Sequence, residues 1–481
     1  MFVEKTATGV IFHNPTEEIK EKCLQYFSLT DPIREYFVYS GNDPDNKIKF
    51  IKKDVIYISS GFLKINDPVI KRIIFTKKIE PPTPGKVTIK MDKEPRSELQ
   101  KECIKTMTES NSPKITVELK PGVGKTFISM YSAAKLSLKP LIVTPSTLLK
   151  NQWIENLIDC GIPREDIATN IYDAPNRPVC CVTITSIENA LRDDWDGLFA
   201  VLNRSNFGIK IIDEAHLHLK GMLRLDALCN IKYNWYLSAT LGRSDTSEDR
   251  ILNMALLDAE RFIGNKKYEE YQTEYIRIYQ QDIVYNPSAQ LCRDTFKYGK
   301  KGLIRATYYQ MLLQYKGGVP FISNIVTMIK KSYAITKSDK KVLVLVPMIE
   351  IIDRLMERLK VDQYFNGKTI VKVDGKMSIA QKRQNLEDGD LILSTTQSMG
   401  VGVDVANLIS VVNFDQLASP ITSEQIVGRL RNRGYDTVYI DICDKVRYAK
   451  TLENWGKQRR SLFPYFPGVY QEQYRLPTIY S

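Results

Sequence analysis

The loop Pro121-Gly-Val-Gly-Lys-Thr126 constrains this chain more than any other feature, because it joins a strand-like run, Lys114-Ile-Thr-Val-Glu118, to a helical stretch, Phe127 to Leu136. In that setting glycines let backbone amides approach an anion closely, a lysine reaches it and a hydroxyl follows. Pro121, Gly122, Val123, Gly124, Lys125 and Thr126 therefore read as a phosphate loop, with Lys125 at the β- and γ-phosphates and the Thr126 hydroxyl on magnesium. Leu119 stands where the full G-x-x-x-x-G-K-T pattern has its first glycine, so the loop alone does not decide the matter.

Such a loop needs a parallel sheet around it. Short β-branched runs at 141–144, 182–185 and 209–213 alternate with helical stretches, and the rhythm returns at 341–346, 391–394, 408–413 and 438–442. Alternation of this kind predicts an α/β fold of two tandem domains, each a parallel sheet covered by helices, over residues 91–264 and 265–455. Residues 1–90 read as a small α+β domain, helical near Glu17 to Phe27, turning at Asn42 to Asn46 and extended at 47–51 and 55–58. The stiff stretch Glu80-Pro-Pro-Thr-Pro-Gly85 marks a linker. The tyrosine-rich segment 265–335 is mainly helical in pattern and reads either as an insertion or as the opening of the second domain, and residues 456–481 form a basic, aromatic tail.

Composition removes several classes. At 481 residues the chain exceeds one core and suits about three domains. Hydrophobic residues are 43% and charged residues 26%, without an apolar run long enough for a membrane span, so neither a membrane protein nor a disordered chain fits. An excess of 68 Lys and Arg over 56 Asp and Glu gives +12 and favours a polyanionic partner, nucleic acid first. Eight scattered cysteines without a C-x-x-C pair, and only three histidines, exclude a disulfide framework and a zinc site. Met1 to Lys5 shows no basic region before an apolar run, so an intracellular, cytoplasmic protein is expected.

The second informative stretch is Ile211-Ile-Asp-Glu-Ala-His216. An apolar strand ending in adjacent carboxylates supplies Asp213 to hold magnesium and Glu214 to orient a water. An isolated Asp-Glu pair is usually an exposed turn, but with a phosphate loop about ninety residues upstream the order and spacing describe an ATP site.

These motifs resemble those of the superfamily 2 nucleic-acid helicases over about residues 91–445, with Asp213-Glu-Ala-His216 as the signature box. The resemblance implies two RecA-like domains, ATP and magnesium as cofactors and a nucleic-acid partner. It gives Gln100 the adenine, and Pro145, Gln152, Trp153, Thr185, Ser186 and Gly400 the nucleic-acid backbone. His216, Ser238 and Thr240 would couple hydrolysis to strand movement, through hydroxyls of Leu237-Ser-Ala-Thr240 bonding to the box. Gly402 and Asp404, in Gly400-Val-Gly-Val-Asp404, and Gln425 would serve the nucleotide. Gln425-Ile-Val-Gly-Arg-Leu-Arg-Asn-Arg433 is similar to the arginine-finger motif: Arg429 matches, while Arg431 and Arg433 both remain open for the second finger because Asn432 fills its usual slot. In this reading ATP is gripped by Lys125 and Arg429, and its hydrolysis drives movement along a strand.

Leu119 to Thr126, Gln152-Trp153 and Ile58-Ser-Ser-Gly-Phe-Leu63 look more like the branch of XPB-like and phage UvsW-type helicases than the RNA-unwinding DEAD-box group. That branch implies a phage- or virus-encoded DNA helicase that remodels forked or branched DNA in recombination, replication and repair by branch migration, fork regression and R-loop unwinding. A transcript-release or RNA-acting helicase, similar to those of poxviruses, is the alternative, and a non-catalytic nucleic-acid-binding scaffold is a third. Trp455-Gly-Lys-Gln-Arg-Arg460, with Phe463, Tyr465 and Phe466, reads either as a base-stacking element or as a final helix packed on its own domain. Oligomeric state, polarity and protein partners are not legible.

Overall fold

The computed structural model describes residues 1–30, 33–35, 38–40, 55–119, 122–239, 241–242, 246–264, 276–299, 302–399, 405–430, 434–461, 463 and 470–475. They fall into two compact units, Met1–Glu269 and Glu270–Ser481. Among the described residues no helix is long and apolar enough to cross a membrane. The extended run at 47–51 and the turn at 42–46 lie outside the described residues.

Among its described residues the first unit holds two main sheets and a short antiparallel pair, Ser28–Thr30 with Ile33–Glu35. Strands β1 (Phe2–Lys5), β2 (Gly9–His13), β3 (Val38–Ser40), β4 (Val55–Ser59) and β5 (Lys77–Lys78) lie in the order β3-β4-β2-β1-β5, beside helix α1 (Glu17–Phe27). Thr16 starts that helix by accepting a hydrogen bond from the Ile19 amide, ahead of two glutamates in the first turn.

The larger sheet is built from β6 (Lys114–Glu118), β7 (Pro140–Thr144), β8 (Ile167–Ala168), β9 (Val179–Thr183), β10 (Ile209–Ile212), β11 (Tyr233–Ser238) and β12 (Glu260–Ile263). Its order is β8-β9-β7-β10-β11-β6-β12, and every pairing is parallel. Helices α2 (Glu98–Glu109), α3 (Lys125–Leu136), α4 (Thr147–Asp159), α5 (Ile184–Asp193), α6 (Leu219–Leu228) and α7 (Thr246–Ala255) accompany it. Burial on both faces is why β7 reads as an apolar run and β10 as one interrupted only by Lys210. One boundary differs from expectation: β9 stops at Thr183, whose side chain accepts from the Ser186 amide at 3.2 Å and starts α5, so Ile184 and Thr185 are helical.

The two main sheets of this unit share one core, in which Val10, Phe12, Ile58 and Phe62 join Leu223, Ile251 and Leu252. The Tyr57 ring lies edge-on to Trp195 at 5.8 Å. Thr8 Oγ donates to the carbonyls of Asp226 and Cys229 at 2.8 and 3.0 Å. Lys114, fully buried at the start of β6, donates to Ser59 Oγ at 3.1 Å and Asp258 Oδ1 at 2.9 Å. Lys210 in β10, equally buried, pairs with Asp226 at 2.6 Å, and Asp226 also accepts from the Tyr236 hydroxyl at 2.8 Å. Burying an ammonium is tolerated only with such partners, so these bonds hold the seam tightly. Gly61 packs so closely that a Cβ there would stand 2.4 Å from the carbonyl oxygens of Met254 and Ala255. The expected linker is laid down as well: the Asn230 amide donates to the Ile79 and Glu80 carbonyls, and Gly85 exchanges backbone bonds with Asn206 and Lys139.

In the second unit β13 (Ile276–Tyr285), β14 (Lys341–Val346), β15 (Ile370–Val373), β16 (Leu391–Thr395), β17 (Leu408–Asn413), β18 (Thr437–Val446) and β19 (Tyr470–Arg475) form a second parallel sheet, ordered β15-β16-β14-β17-β18-β13-β19. Helices α8 (Arg305–Gln314), α9 (Val319–Thr336), α10 (Pro420–Val427) and α11 (Lys450–Arg460) belong to it. The described part of 265–335 is mainly helical, with Ala289–Thr295, α8 and α9, but strand β13 departs from that pattern and pairs within the second sheet. Its buried positions are interleaved with Arg277, Gln280, Asp282 and Val284, which hides the strand from a search for apolar runs. Helix α11 packs on its own sheet: Arg459 is fully buried and pairs with Asp441 at 2.8 Å, and Arg460 pairs with Asp441 and Asp282. The packing alternative for this segment therefore holds over the base-stacking one; Tyr465 and Phe466 lie outside the described residues.

Candidate nucleotide site

A parallel sheet presents the carboxyl ends of all its strands at one edge, and in the first unit the expected residues gather there. The phosphate loop follows β6, Pro145 follows β7, Thr185 and Ser186 open α5 after β9, Asp213 and Glu214 follow β10, and Ser238 closes β11. Backbone bonds knit the edge together: Asp213 N to Val143 O, Ala215 N to Leu237 O and Leu119 N to Ser238 O, at 2.9, 2.9 and 3.0 Å.

Gly122 and Gly124 take φ values of 90° and 97°, left-handed conformations that cost glycine little. Gly124 caps α3 without any side-chain bond to the helix's first amides, which leaves a helix N-terminus suited to an anion. Lys125 extends its ammonium to 3.3 Å from the Leu119 carbonyl and 3.7 Å from Glu214 Oε1. The loop is held from outside by Arg96, whose guanidinium donates to the Gly122 carbonyl at 2.9 Å, and by Gln100, whose amide donates to the Val123 carbonyl at 2.7 Å. The Gln100 carbonyl oxygen accepts from the Arg96 amide at 2.8 Å, so this side chain, expected at an adenine, has both polar ends on the loop and its neighbour.

Facing the loop, Asp213 and Glu214 are both buried. Desolvation, reinforced by the Glu214 charge, pushes the Asp213 carboxyl up to about 6 against the pull of a Trp153 hydrogen bond and the Lys125 charge. Glu214 is left-handed at φ 49°, a conformation that costs a non-glycine residue on the order of 1 kcal/mol and concentrates at working sites. Its Oε2 lies 3.5 Å from His216 Nδ1, and that same nitrogen is 2.8 Å from Ser238 Oγ. Phosphate loop, carboxylates and the Ser238 strand end thus form one connected polar cluster.

These residues fit a magnesium-bound nucleoside triphosphate. The uncapped amides and Lys125 suit phosphates, and among the described residues no three His, Cys, Asp or Glu side chains cluster to cage a metal on their own. Asp213 and the half-buried Thr126 hydroxyl would hold a cation there. When bound, such a cation would neutralise charge on the transferred phosphoryl group.

Trp153 requires a correction. Expected on the nucleic-acid face, it is buried, 1% exposed, and its indole N–H donates to Asp213 Oδ2 at 2.9 Å, leaving no surface for a strand. Thr185 and Ser186 are exposed, with Ser186 Oγ donating to the Thr183 carbonyl at 2.7 Å, and Pro145 and Gln152 are half-buried. In the second unit Gln425 is half-buried on α10, and Arg429 is buried just beyond that helix. Pro121, Thr240, Gly400, Gly402, Asp404, Arg431 and Arg433 lie outside the described residues.

Fold and site together define a class: a P-loop protein with two RecA-like parallel-sheet domains. Residues 93–243 match the family model of the type III restriction enzyme res subunit, and residues 324–434 match the helicase conserved C-terminal domain. The chain belongs to helicase superfamily 2, and its domains are those of an ATP-dependent nucleic-acid helicase. It is similar to the transcript termination protein A18 of Yaba-like disease virus, 24% identical over 351 residues, 68% of this chain and 67% of that protein. The putative helicase 161L of Invertebrate iridescent virus 6 is 23% identical over 403 residues, 77% and 80% of the two chains. Among solved structures, Saccharomyces cerevisiae Dbp5 bound to RNA and ADP BeF3 aligns with a TM-score of 0.55 at 14% identity, covering 79% of this chain and 90% of that one, a likeness of fold.

Proposed function

We propose that the chain is an ATP-driven DNA translocase that displaces paired strands at branched or forked DNA. The observation that carries the motor reading is the convergence of Lys125, Asp213, Glu214, His216 and Ser238 at one sheet edge, linked by contacts of 2.8 to 3.7 Å. With nucleotide and cation bound, Lys125 would neutralise phosphate charge, Asp213 and Thr126 would hold the cation, Glu214 would orient the attacking water, and His216 with Ser238 would pass the state of the site to the end of β11. Arg429 contributes to turnover as the arginine-finger resemblance implies. Pro145, Gln152, Thr185 and Ser186 meet the nucleic-acid backbone. Branched DNA is favoured by the motif resemblance of Gln152-Trp153 and Ile58 to Leu63, and by an amino-terminal sheet fused to the motor, which gives residues 1–90 a fixed seat for recognising a branch.

Transcript release is the second reading, favoured by the likeness to the viral transcript termination protein. The test compares ATP hydrolysis by the purified protein with duplex, single-stranded, forked and four-way DNA, RNA, and a stalled transcription complex. Stimulation highest with forked or four-way DNA supports the first reading. A higher rate with RNA or the stalled complex transfers the function to the second. Lys125→Ala lowers turnover about a hundredfold or more if the motor reading holds, and unchanged hydrolysis defeats it.

A further inference from the structure

We propose that Trp153 is a positioning residue that sets the Asp213 carboxylate according to whether a strand is bound at the start of α4. The inference rests on the reading of Asp213 as the magnesium residue of the ATP site and adds the route by which nucleic acid reaches it.

Helix α4 touches both places. Ser146 caps it by accepting from the Leu149 amide at 3.3 Å, directly after Pro145 at the end of β7. Thr144 Oγ ties this corner to the neighbouring strand by donating to the Ser146 and Val182 carbonyls, at 3.1 and 3.4 Å, so the carboxyl ends of β7 and β9 lie side by side at the sheet edge. Further along, Leu149, Trp153, Ile154 and Leu157 form the buried side of the helix. From that side the indole N–H reaches Asp213 Oδ2 at 2.9 Å, while the other carboxylate oxygen accepts from the Glu214 amide at 3.0 Å. With a donor on each oxygen the carboxylate has a fixed plane, and a rotation or shift of α4 moves one of the two donors.

Packing does not by itself demand this bond. Trp235, in the adjacent β11, is equally buried and its indole N–H has no hydrogen-bond partner. The sheet therefore accommodates a buried tryptophan without an acceptor, whereas Trp153 is placed on the carboxylate that would hold the cation. Indole is a donor only, and a bond to an ionised acceptor is stronger than a neutral one, so the link is directional and substantial. Residues that orient a metal-binding side chain in this way commonly control both metal affinity and rate.

Trp153→Phe removes the donor and keeps an aromatic ring in the pocket; Trp235→Phe, which removes an unpartnered donor, is the control. Three quantities are measured on the full chain: thermal stability, binding of a fluorescent ADP analogue with magnesium and with chelator, and ATP hydrolysis with and without DNA. Trp153→Phe is expected to keep its fold and its magnesium-free nucleotide affinity, while the gain in affinity from magnesium and the stimulation by DNA each fall about tenfold. Trp235→Phe is expected to match the wild type in both. Equal losses in the two variants, or none in Trp153→Phe, overturn the proposal while leaving the motor reading intact. A wild type that neither hydrolyses ATP nor responds to DNA overturns both. Should the Trp153→Phe protein fail to fold, intrinsic tryptophan emission of the Trp235→Phe protein decides: it changes on adding ADP with magnesium and not with chelator, and an unchanged signal overturns the link.

Discussion

Glu214 is left-handed and buried between the Lys125 ammonium and His216. A residue held in a costly conformation with its carboxylate at a phosphate loop is expected to act in the hydrolysis step rather than in binding. Glu214→Gln should bind an ADP analogue with near wild-type affinity while hydrolysing ATP about a hundredfold more slowly; a parallel loss of binding would contradict that division. A second buried carboxyl gives a stability prediction. Asp444 is fully enclosed, accepts from the Tyr308 hydroxyl at 2.6 Å, and burial pushes it from 3.8 up to about 7. A group that holds its proton more tightly when folded stabilises fully below its ordinary value, and that contribution disappears as pH rises through the raised one. The wild type should therefore lose about 1.4 kcal/mol between pH 6 and pH 8 relative to Asp444→Asn, whose side chain does not titrate; urea unfolding at the two values measures it. Lys125, Asp213 and Glu214 were legible because their chemistry lies in residue type and spacing. Trp153 was not, because an aromatic beside a strand-edge motif reads the same whether its N–H faces solvent or a buried carboxylate.

At the scale of elements, the strands carrying the site were visible as apolar runs, since burial on both faces leaves no place for polar residues except where a partner waits. Lys210 in β10 and Lys114 in β6 are those exceptions. A lysine inside an otherwise apolar strand was the available signal for the buried pairs along the seam with the amino-terminal sheet, but the sequence does not tell which carboxylate answers it. The alternating strand β13 was missed for a related reason: in a helix-rich neighbourhood, period-two polarity is weak evidence. The seam makes two checkable claims. Gly61→Ala forces a Cβ against two carbonyl oxygens and should cost about 2 kcal/mol in urea unfolding. A chain lacking residues 1–90 should aggregate or bind hydrophobic dye, because Leu223, Ile251 and Leu252 lose their cover.

Considered as a whole molecule, a net charge of +12 together with the proposed grip on backbone phosphates predicts binding that weakens steeply with salt and varies little with base sequence. Titrations of one forked DNA at several salt concentrations measure the slope, and a flat response would argue for contacts to bases. The Lys114 ammonium, through Ser59, and the Thr8 hydroxyl, through the Asp226 carbonyl, bolt residues 1–90 to the first RecA-like domain. Fastened by these described contacts, such an appendage repeats each tilt of its carrier. If the proposed motor holds, anything bound at the amino-terminal sheet would be carried along with the first domain, as a ploughshare follows its beam.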